Sequence, residues 1–215
     1  MKADLFPQLT DYLTNRLKLP LPTKEALAMM FPNIKSLPEI LPENAKMSAV
    51  MVLLFIKNGE WHLLTIRRTT DGNAHSGQIS FPGGRHEPAD VDFLATALRE
   101  TYEEIGIAPD KIKTIGALSP VYIVVSNFNV YPYIGYLETP QEFSISKNEV
   151  EEVIEIPLSA LLSPDAKVQA EVVTPIHPNF KRKVNAYQIA NDTVIWGATA
   201  IMIAELEILL RQTDN

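Results

Sequence analysis

Residues 83–107, GGRHEPADVDFLATALRETYEEIGI, leave the backbone little choice. Neither Gly83 nor Gly84 carries a Cβ, so the chain turns sharply there and admits close neighbours. After Pro88, Leu94, Leu98, Tyr102 and Ile105 recur at helical spacing and form the predicted core-facing stripe of a helix over 91–105. Gly106 stands where a helix stop is expected. The segment reads as strand, glycine turn, loop and acidic helix.

Glu100, Glu103 and Glu104 are related by i, i+3 and i+4, so their carboxylates are predicted on one face, apart from the apolar stripe. Like charges at that spacing destabilise a bare helix by roughly a few tenths of a kcal/mol per pair. Most acidic helix faces are simply solvated. Hard divalent cations, however, take oxygen ligands, commonly one or two carboxylates with phosphate oxygens and water. The three glutamates are thus a candidate cation platform. Arg99, four residues before Glu103, is placed to orient that carboxylate through a bidentate pair.

The remaining chain frames this segment. A length of 215 residues fits one domain with extra segments, and a hydrophobic fraction of 46% excludes wholesale disorder. Nineteen basic against 26 acidic residues give a net charge of -7, which repels nucleic-acid backbones. A nucleotide ligand would need local cations. The absence of cysteine excludes disulfides, thiol catalysis and iron–sulfur clusters, and fits a reducing cytosol. No apolar secretory region is read at the N-terminus. The apolar stretch Val194 to Leu210 is interrupted by Glu205 and Glu207 and falls short of the ~20 residues a bilayer span needs. A soluble cytoplasmic protein with no nucleic-acid or membrane partner is expected.

Residues 1–45 hold six of the sixteen prolines and read as an arm, with short helices at 8–18 and 23–31 around Leu-Pro-Leu-Pro. The main domain is predicted over 46–215. Its first strands, 47–56 and 61–68, flank Asn58-Gly59, a strong hairpin signal. A loop at 70–77 follows, then strands at 111–118, 121–125, 129–137, 150–156, 167–174 and 184–190, and a final helix at 196–211. Mixed strands with separated helices predict the α+β class, an α/β/α sandwich.

The segment around the glycine pair resembles the box of the Nudix hydrolase family, G-x5-E-x7-R-E-U-x-E-E-x-G-U with U aliphatic. Gly84, Arg99-Glu100, Glu103-Glu104, Gly106 and Ile107 match it. Three features depart from it: Asp90 stands in place of the early Glu, eight residues separate Asp90 from Arg99, and Thr101 replaces an aliphatic residue. LLTIRR (63–68), HSGQISFPGG (75–84) and IWGATAIMI (195–203) resemble the coenzyme A pyrophosphatase branch, whose box is elongated and starts with Asp. That branch usually carries an arginine shortly before the His, where this chain has Asp71, Gly72 and Asn73.

The resemblance implies a Nudix fold, with a mixed sheet between helices, and a Mg²⁺- or Mn²⁺-dependent hydrolase of nucleoside diphosphate derivatives. Coenzyme A or acyl-CoA would give 3′,5′-ADP and (acyl-)4′-phosphopantetheine. ADP-ribose or another dinucleotide is the alternative substrate, and a non-catalytic nucleotide-binding module the alternative role. Glu100 and Glu104 would be the first metal ligands, because i, i+4 spacing lets them converge. Glu103 would be a further ligand or base, held by Arg99. An extra glutamate from Glu149, Glu151 or Glu152, with Glu149 preferred, would serve as ligand or base. Arg67, Gln78, Gly83 and Gly84 would meet the substrate.

His75 and His86 flank the glycine turn as candidate bases, with His62 and His177 behind them. Lys181-Arg182-Lys183 is a candidate site for a 3′-phosphate, and Tyr122 or Phe128 for stacking on a base. Trp196 is predicted to be core. A homodimer is the assembly implied.

Overall fold

The apolar run 47–56 has no polar alternation, which suits a strand covered on both faces. It becomes β1 (Lys46–Lys57), the hub of an eight-stranded mixed sheet. The structure, a computed structural model, describes residues 6–32, 41–70, 76–174, 177–190 and 193–211. β2 (Glu60–Arg68) returns antiparallel to β1 through Asn58 and Gly59, both at positive φ (52° and 75°), as the predicted hairpin requires.

β7 (Phe128–Leu137) lies parallel to β1 on its other edge. β5 (Ile112–Ala117) and β6 (Val121–Ile123) pair antiparallel with β7. β8 (Val150–Pro157) pairs antiparallel with β2. Two short strands wedge in where β1 and β2 diverge: β3 (Ile79–Ser80) on the end of β2, and β4 (Gly83–Arg85) on the start of β1.

Alternation along β1 builds two cores. Ala49, Met51, Leu53 and Phe55 face α3 (Phe93–Ile105), while Val52 and Leu54 face α1 (Phe6–Arg16), α2 (Thr23–Met30) and α5 (Gly197–Arg211). The arm is therefore a structural layer. Leu9, Leu13, Ala26, Leu27 and Met30 are buried in the same cluster as Leu206 and Leu209 of α5. Pro38 and its neighbours in the connector lie outside the described residues.

The predicted single sheet is incomplete as an account. After α4 (Leu158–Leu161), a separate three-stranded antiparallel sheet forms from β9 (Lys167–Thr174), β10 (His177–Ala190) and β11 (Thr193–Ile195). The predicted strand 184–190 is only the second half of β10. β11 ends at Ile195, and the next residue, Trp196, is half-buried rather than core, at the entry to α5. Among the described residues, no helix is long and apolar enough to cross a membrane.

The two charges that interrupt the apolar C-terminal run are buried. Glu205 accepts the Ser119 N–H and O–H, each at 2.7 Å, and so ties the β5–β6 connection to α5. Glu207 is 0% exposed and accepts from Lys167 Nζ (2.6 Å), Tyr187 O–H (2.6 Å) and Arg211 Nε (2.7 Å). Burial pushes its carboxyl up, but these three donors more than offset that and hold it below its ordinary value. Its stabilisation is complete above the ordinary carboxyl pKa of about 4.3 and is lost as pH falls through the lower folded value. Glu207→Gln leaves two cations facing a neutral amide. We expect it to cost about 2–3 kcal/mol at pH 7, with the gap to wild type closing in thermal melts below about pH 4.

Candidate active site

Asp92 caps α3 by accepting the Ala95 N–H at 2.7 Å, so the helix begins at Phe93 and leaves Val91 outside, in solvent. Gly106 ends it in the left-handed conformation, as expected. The buried side differs from the predicted stripe by one position. It runs along Ala97, Thr101 and Glu104, flanked by Thr96 and Ile105, with Leu94 and Leu98 half-buried beside them. Tyr102 is 55% exposed. Thr101 takes the inward position because it is small and its hydroxyl donates to the Ala97 carbonyl (2.6 Å).

That rotation separates the carboxylates, which do not share one solvent face. Glu104 is 1% exposed, Glu100 is half-buried and Glu103 projects outward. Glu104 Oε2 accepts the Gly83 N–H at 2.8 Å, and its Oε1 accepts from Arg68 Nη1 at 3.2 Å. Glu100 lies directly over Gly84, where an added Cβ would stand 2.4 Å from the carboxyl carbon. Gly83, at φ +155°, would drive a Cβ to 2.3 Å from the Ala49 carbonyl oxygen. One glycine admits the neighbouring strand and the next admits a carboxylate.

Arg99 gathers the loop and the helix. Its bidentate partner is Asp90, not the predicted Glu103: Nε and Nη2 reach Oδ1 and Oδ2 at 2.9 and 3.0 Å. Nη1 gives single bonds to Glu100 (3.0 Å) and Glu103 (2.9 Å), and Nη2 also meets the Arg85 carbonyl (3.1 Å). The Arg99 guanidinium, helped by the Glu87 N–H and the Thr96 hydroxyl, holds the Asp90 carboxyl well below the usual range. The elongated box thus keeps an acid beneath the arginine. His86 Nδ1 lies 2.8 Å from Thr96 Oγ1 and its ring meets Phe93 edge-on, so it braces this loop.

Burial pushes Glu104 up to about 8 despite Gly83 and Arg68, and the charges of Glu100 and Glu149 add to the rise. Glu100 is raised as well, again chiefly by burial, with Arg99 opposing. Glu149 is exposed, but its charge reaches both. Its backbone is fixed between the Ser146 carbonyl and the Thr69 N–H, each at 3.0 Å. These carboxylates hold more negative charge than the nearby cations neutralise, and their hard oxygens suit Mg²⁺ or Mn²⁺. Among the described residues, no three acidic or histidine side chains already form a coordinating group. Mg²⁺ itself is usually held by one or two carboxylates, with substrate oxygens and water completing its shell.

Other predicted residues are dispersed. Arg67 alternates onto the α5 side of the sheet and pairs with Glu152 (2.6 Å), across the sheet from Glu104. Glu151 is exposed. The Gln78 carbonyl accepts the Arg68 N–H (3.0 Å), joining β3 to β2. Lys181, Arg182 and Lys183 are exposed on the second sheet, Lys181 against Glu171 at 3.5 Å. Tyr122 O–H bonds Asn127 (2.8 Å), and Phe128 lies under Lys46 (5.4 Å). His62 is buried against the Glu60 carbonyl (3.0 Å). His75 and the side chain of His177 lie outside the described residues. Arg68 went unrecognised, although the alternation Leu64, Ile66, Arg68 marks it for the α3 side.

A mixed sheet between helix layers, with an acidic helix braced on a glycine turn, defines a class of α/β/α hydrolases. The NUDIX domain family matches residues 45–175. The chain is 30% identical over 176 residues to an uncharacterized Nudix hydrolase NudL of Pectobacterium atrosepticum, covering 80% of this chain and 86% of that one. It is 30% identical over 212 residues to the corresponding protein of Klebsiella pneumoniae, covering 96% of each. In structure it is similar to a MutT protein from Methanosarcina mazei Go1, with a TM-score of 0.52, 17% identity, and 82% and 100% of the two chains covered. A MutT/nudix family protein from Enterococcus faecalis gives 0.52 and 16% identity over 90% and 76%. The chain belongs to the Nudix hydrolase family.

Proposed function

We propose that this hydrolase cleaves the diphosphate bond of coenzyme A or an acyl-CoA, giving 3′,5′-ADP and (acyl-)4′-phosphopantetheine, with Mg²⁺ or Mn²⁺ as cofactor. The observation that carries the diphosphate chemistry is the buried Glu104–Gly83 contact beside Glu100 and Glu149, a set of carboxylates short of positive charge. The coenzyme A assignment rests on LLTIRR, HSGQISFPGG and IWGATAIMI, which resemble that branch. The same resemblance implies a cytoplasmic homodimer.

In this reading Glu100, Glu104 and Glu149 hold the ion, and Gly83 and Gly84 leave room for the diphosphate at the turn. When bound, the ion neutralises the diphosphate and lowers the pKa of water. Arg99 keeps Glu103 in place through its 2.9 Å bond, and Glu103, which projects outward from α3, is available to take a proton from the attacking water. Arg68 holds one Glu104 oxygen, fixing the direction of the other. Gln78, whose carbonyl accepts the Arg68 N–H, would contact the substrate, whereas Arg67 lies on the other face of the sheet, paired with Glu152.

Coenzyme A, octanoyl-CoA and ADP-ribose, each assayed with Mg²⁺, discriminate the substrates. We expect kcat/KM at least tenfold higher for a coenzyme A derivative than for ADP-ribose, with 3′,5′-ADP identified as product. Faster turnover of ADP-ribose would overturn the coenzyme A assignment.

A further inference from the structure

The hydroxyl of Ser80 in β3 is buried and has no hydrogen-bond partner among the described residues. Its chain neighbours Ile79 and Phe81 are buried in the core on the α5 side of the sheet. Alternation therefore turns Ser80 to the α3 side. Its register partner on β2, Ile66, belongs to that second core, with Met51, Leu53 and Leu64. A buried hydroxyl left unpaired costs stability, and an apolar side chain at this position would avoid that cost. A hydroxyl so placed suits a bond made only when the site is loaded.

The two groups that grip the Glu104 carboxylate bracket Ser80. Two residues before it, the Gln78 carbonyl accepts the Arg68 N–H at 3.0 Å, and Arg68 Nη1 reaches Glu104 Oε1 at 3.2 Å. Three residues after it, the Gly83 N–H donates to Glu104 Oε2 at 2.8 Å. The Pro82 carbonyl, accepting the Met51 N–H at 2.8 Å, fixes the chain in between. Glu104 thus bridges the two ends of segment 78–83, with Ser80 between them and facing the same side. At about 3.3 Å of rise per residue, Ser80 stands roughly 7 Å along β3 from the Gln78–Arg68 link. A carboxylate offers about four lone-pair sites. Gly83 and Arg68 take one each and a bound ion would take a third, which leaves one for a further donor.

We infer that Ser80 is a positioning residue for Glu104, its hydroxyl donating to the remaining lone pair of that carboxylate when the ion is bound. Rotation about χ1 brings the hydroxyl into place without moving the strand. This rests on Glu104 as a metal ligand, as proposed above, but not on coenzyme A as the particular substrate. Mn²⁺ binding by electron paramagnetic resonance, with thermal melts in metal-free buffer, tests it on Ser80→Ala, Ser80→Cys, Glu104→Gln and Ser80→Ala/Glu104→Gln. A group that orients a metal ligand is typically worth about 10–100-fold in affinity. Ser80→Ala should bind Mn²⁺ about tenfold more weakly, yet melt at or above the wild-type temperature. Ser80→Cys keeps the shape with a much weaker donor, and should match the alanine variant. The double variant should bind within about twofold of Glu104→Gln, because the hydroxyl acts through that carboxylate. Wild-type affinity in Ser80→Ala overturns the inference. So does wild-type affinity in Ser80→Cys, which assigns the alanine effect to packing, or a further tenfold loss in the double variant. Wild-type affinity in Glu104→Gln defeats the metal ligand itself and the inference with it, whereas loss there without loss in Ser80→Ala defeats the inference alone.

Discussion

Glu104→Gln is expected to lower kcat/KM by about a thousandfold while leaving the protein folded and somewhat more heat-stable in metal-free buffer. The opposite signs follow from one geometry. Glu104 is 1% exposed, and burial pushes its carboxyl up to about 8, so the folded protein bears the cost of holding it. A neutral amide removes that cost, and its oxygen still accepts the Gly83 N–H. Catalysis, however, needs the negative charge. Losing one preorganised electrostatic group typically costs about 10²–10³ in rate, and a group that holds the ion belongs at the upper end. Steady-state kinetics and thermal melts on one preparation read both effects. A stability gain without loss of activity would remove Glu104 from the mechanism.

The second large effect separates two adjacent glycines. A Cβ at Gly83 meets backbone, 2.3 Å from the Ala49 oxygen and 2.6 Å from the Val50 Cα, at a φ of +155° that L-residues rarely adopt. Gly83→Ala should cost more than about 3 kcal/mol and yield little folded protein. The nearest atoms a Cβ at Gly84 meets are those of the Glu100 carboxylate, the far end of a flexible side chain. Gly84→Ala should therefore fold and melt within a few degrees of wild type, yet lose about a hundredfold in kcat/KM as Glu100 is displaced. Denaturant titration and kinetics distinguish the two. If both variants fail in the same way, the division of labour between the glycines is wrong.

Much of this was legible from local patterns. The apolar run of β1 announced a strand covered on both faces, Asn58-Gly59 announced the hairpin, and the match of Gly84, Arg99-Glu100 and Glu103-Glu104 located the site. What escaped depends on facing, which spacing alone does not settle. Tyr102 and Thr101 are neighbours, and a helical wheel that weighs only apolarity chooses the tyrosine. The small threonine wins because the sheet lies close and its hydroxyl is satisfied within the helix.

Arg67 and Arg68 pose the same ambiguity at a strand end. Only the pairing of Leu64 and Ile66 with the α3 layer decides that Arg68 meets Glu104. Asp90 read as a departure because its partner is nine residues away, across a loop whose path the sequence does not state. Glu205 and Glu207 read only as interruptions of an apolar run, because their partners, Ser119, Lys167 and Tyr187, come from distant segments. The separate second sheet escaped for a similar reason, since β11 is three residues long and runs directly into an apolar helix.

The most direct measurement is Mn²⁺ binding by electron paramagnetic resonance to the wild type and to Glu100→Gln/Glu104→Gln. The carboxylates on α3 are predicted to hold the ion, so the double variant should bind at least tenfold more weakly while keeping its far-ultraviolet circular dichroism. Wild-type affinity for Mn²⁺ in the folded double variant would contradict a catalytic centre built on the glycine turn and the acidic helix.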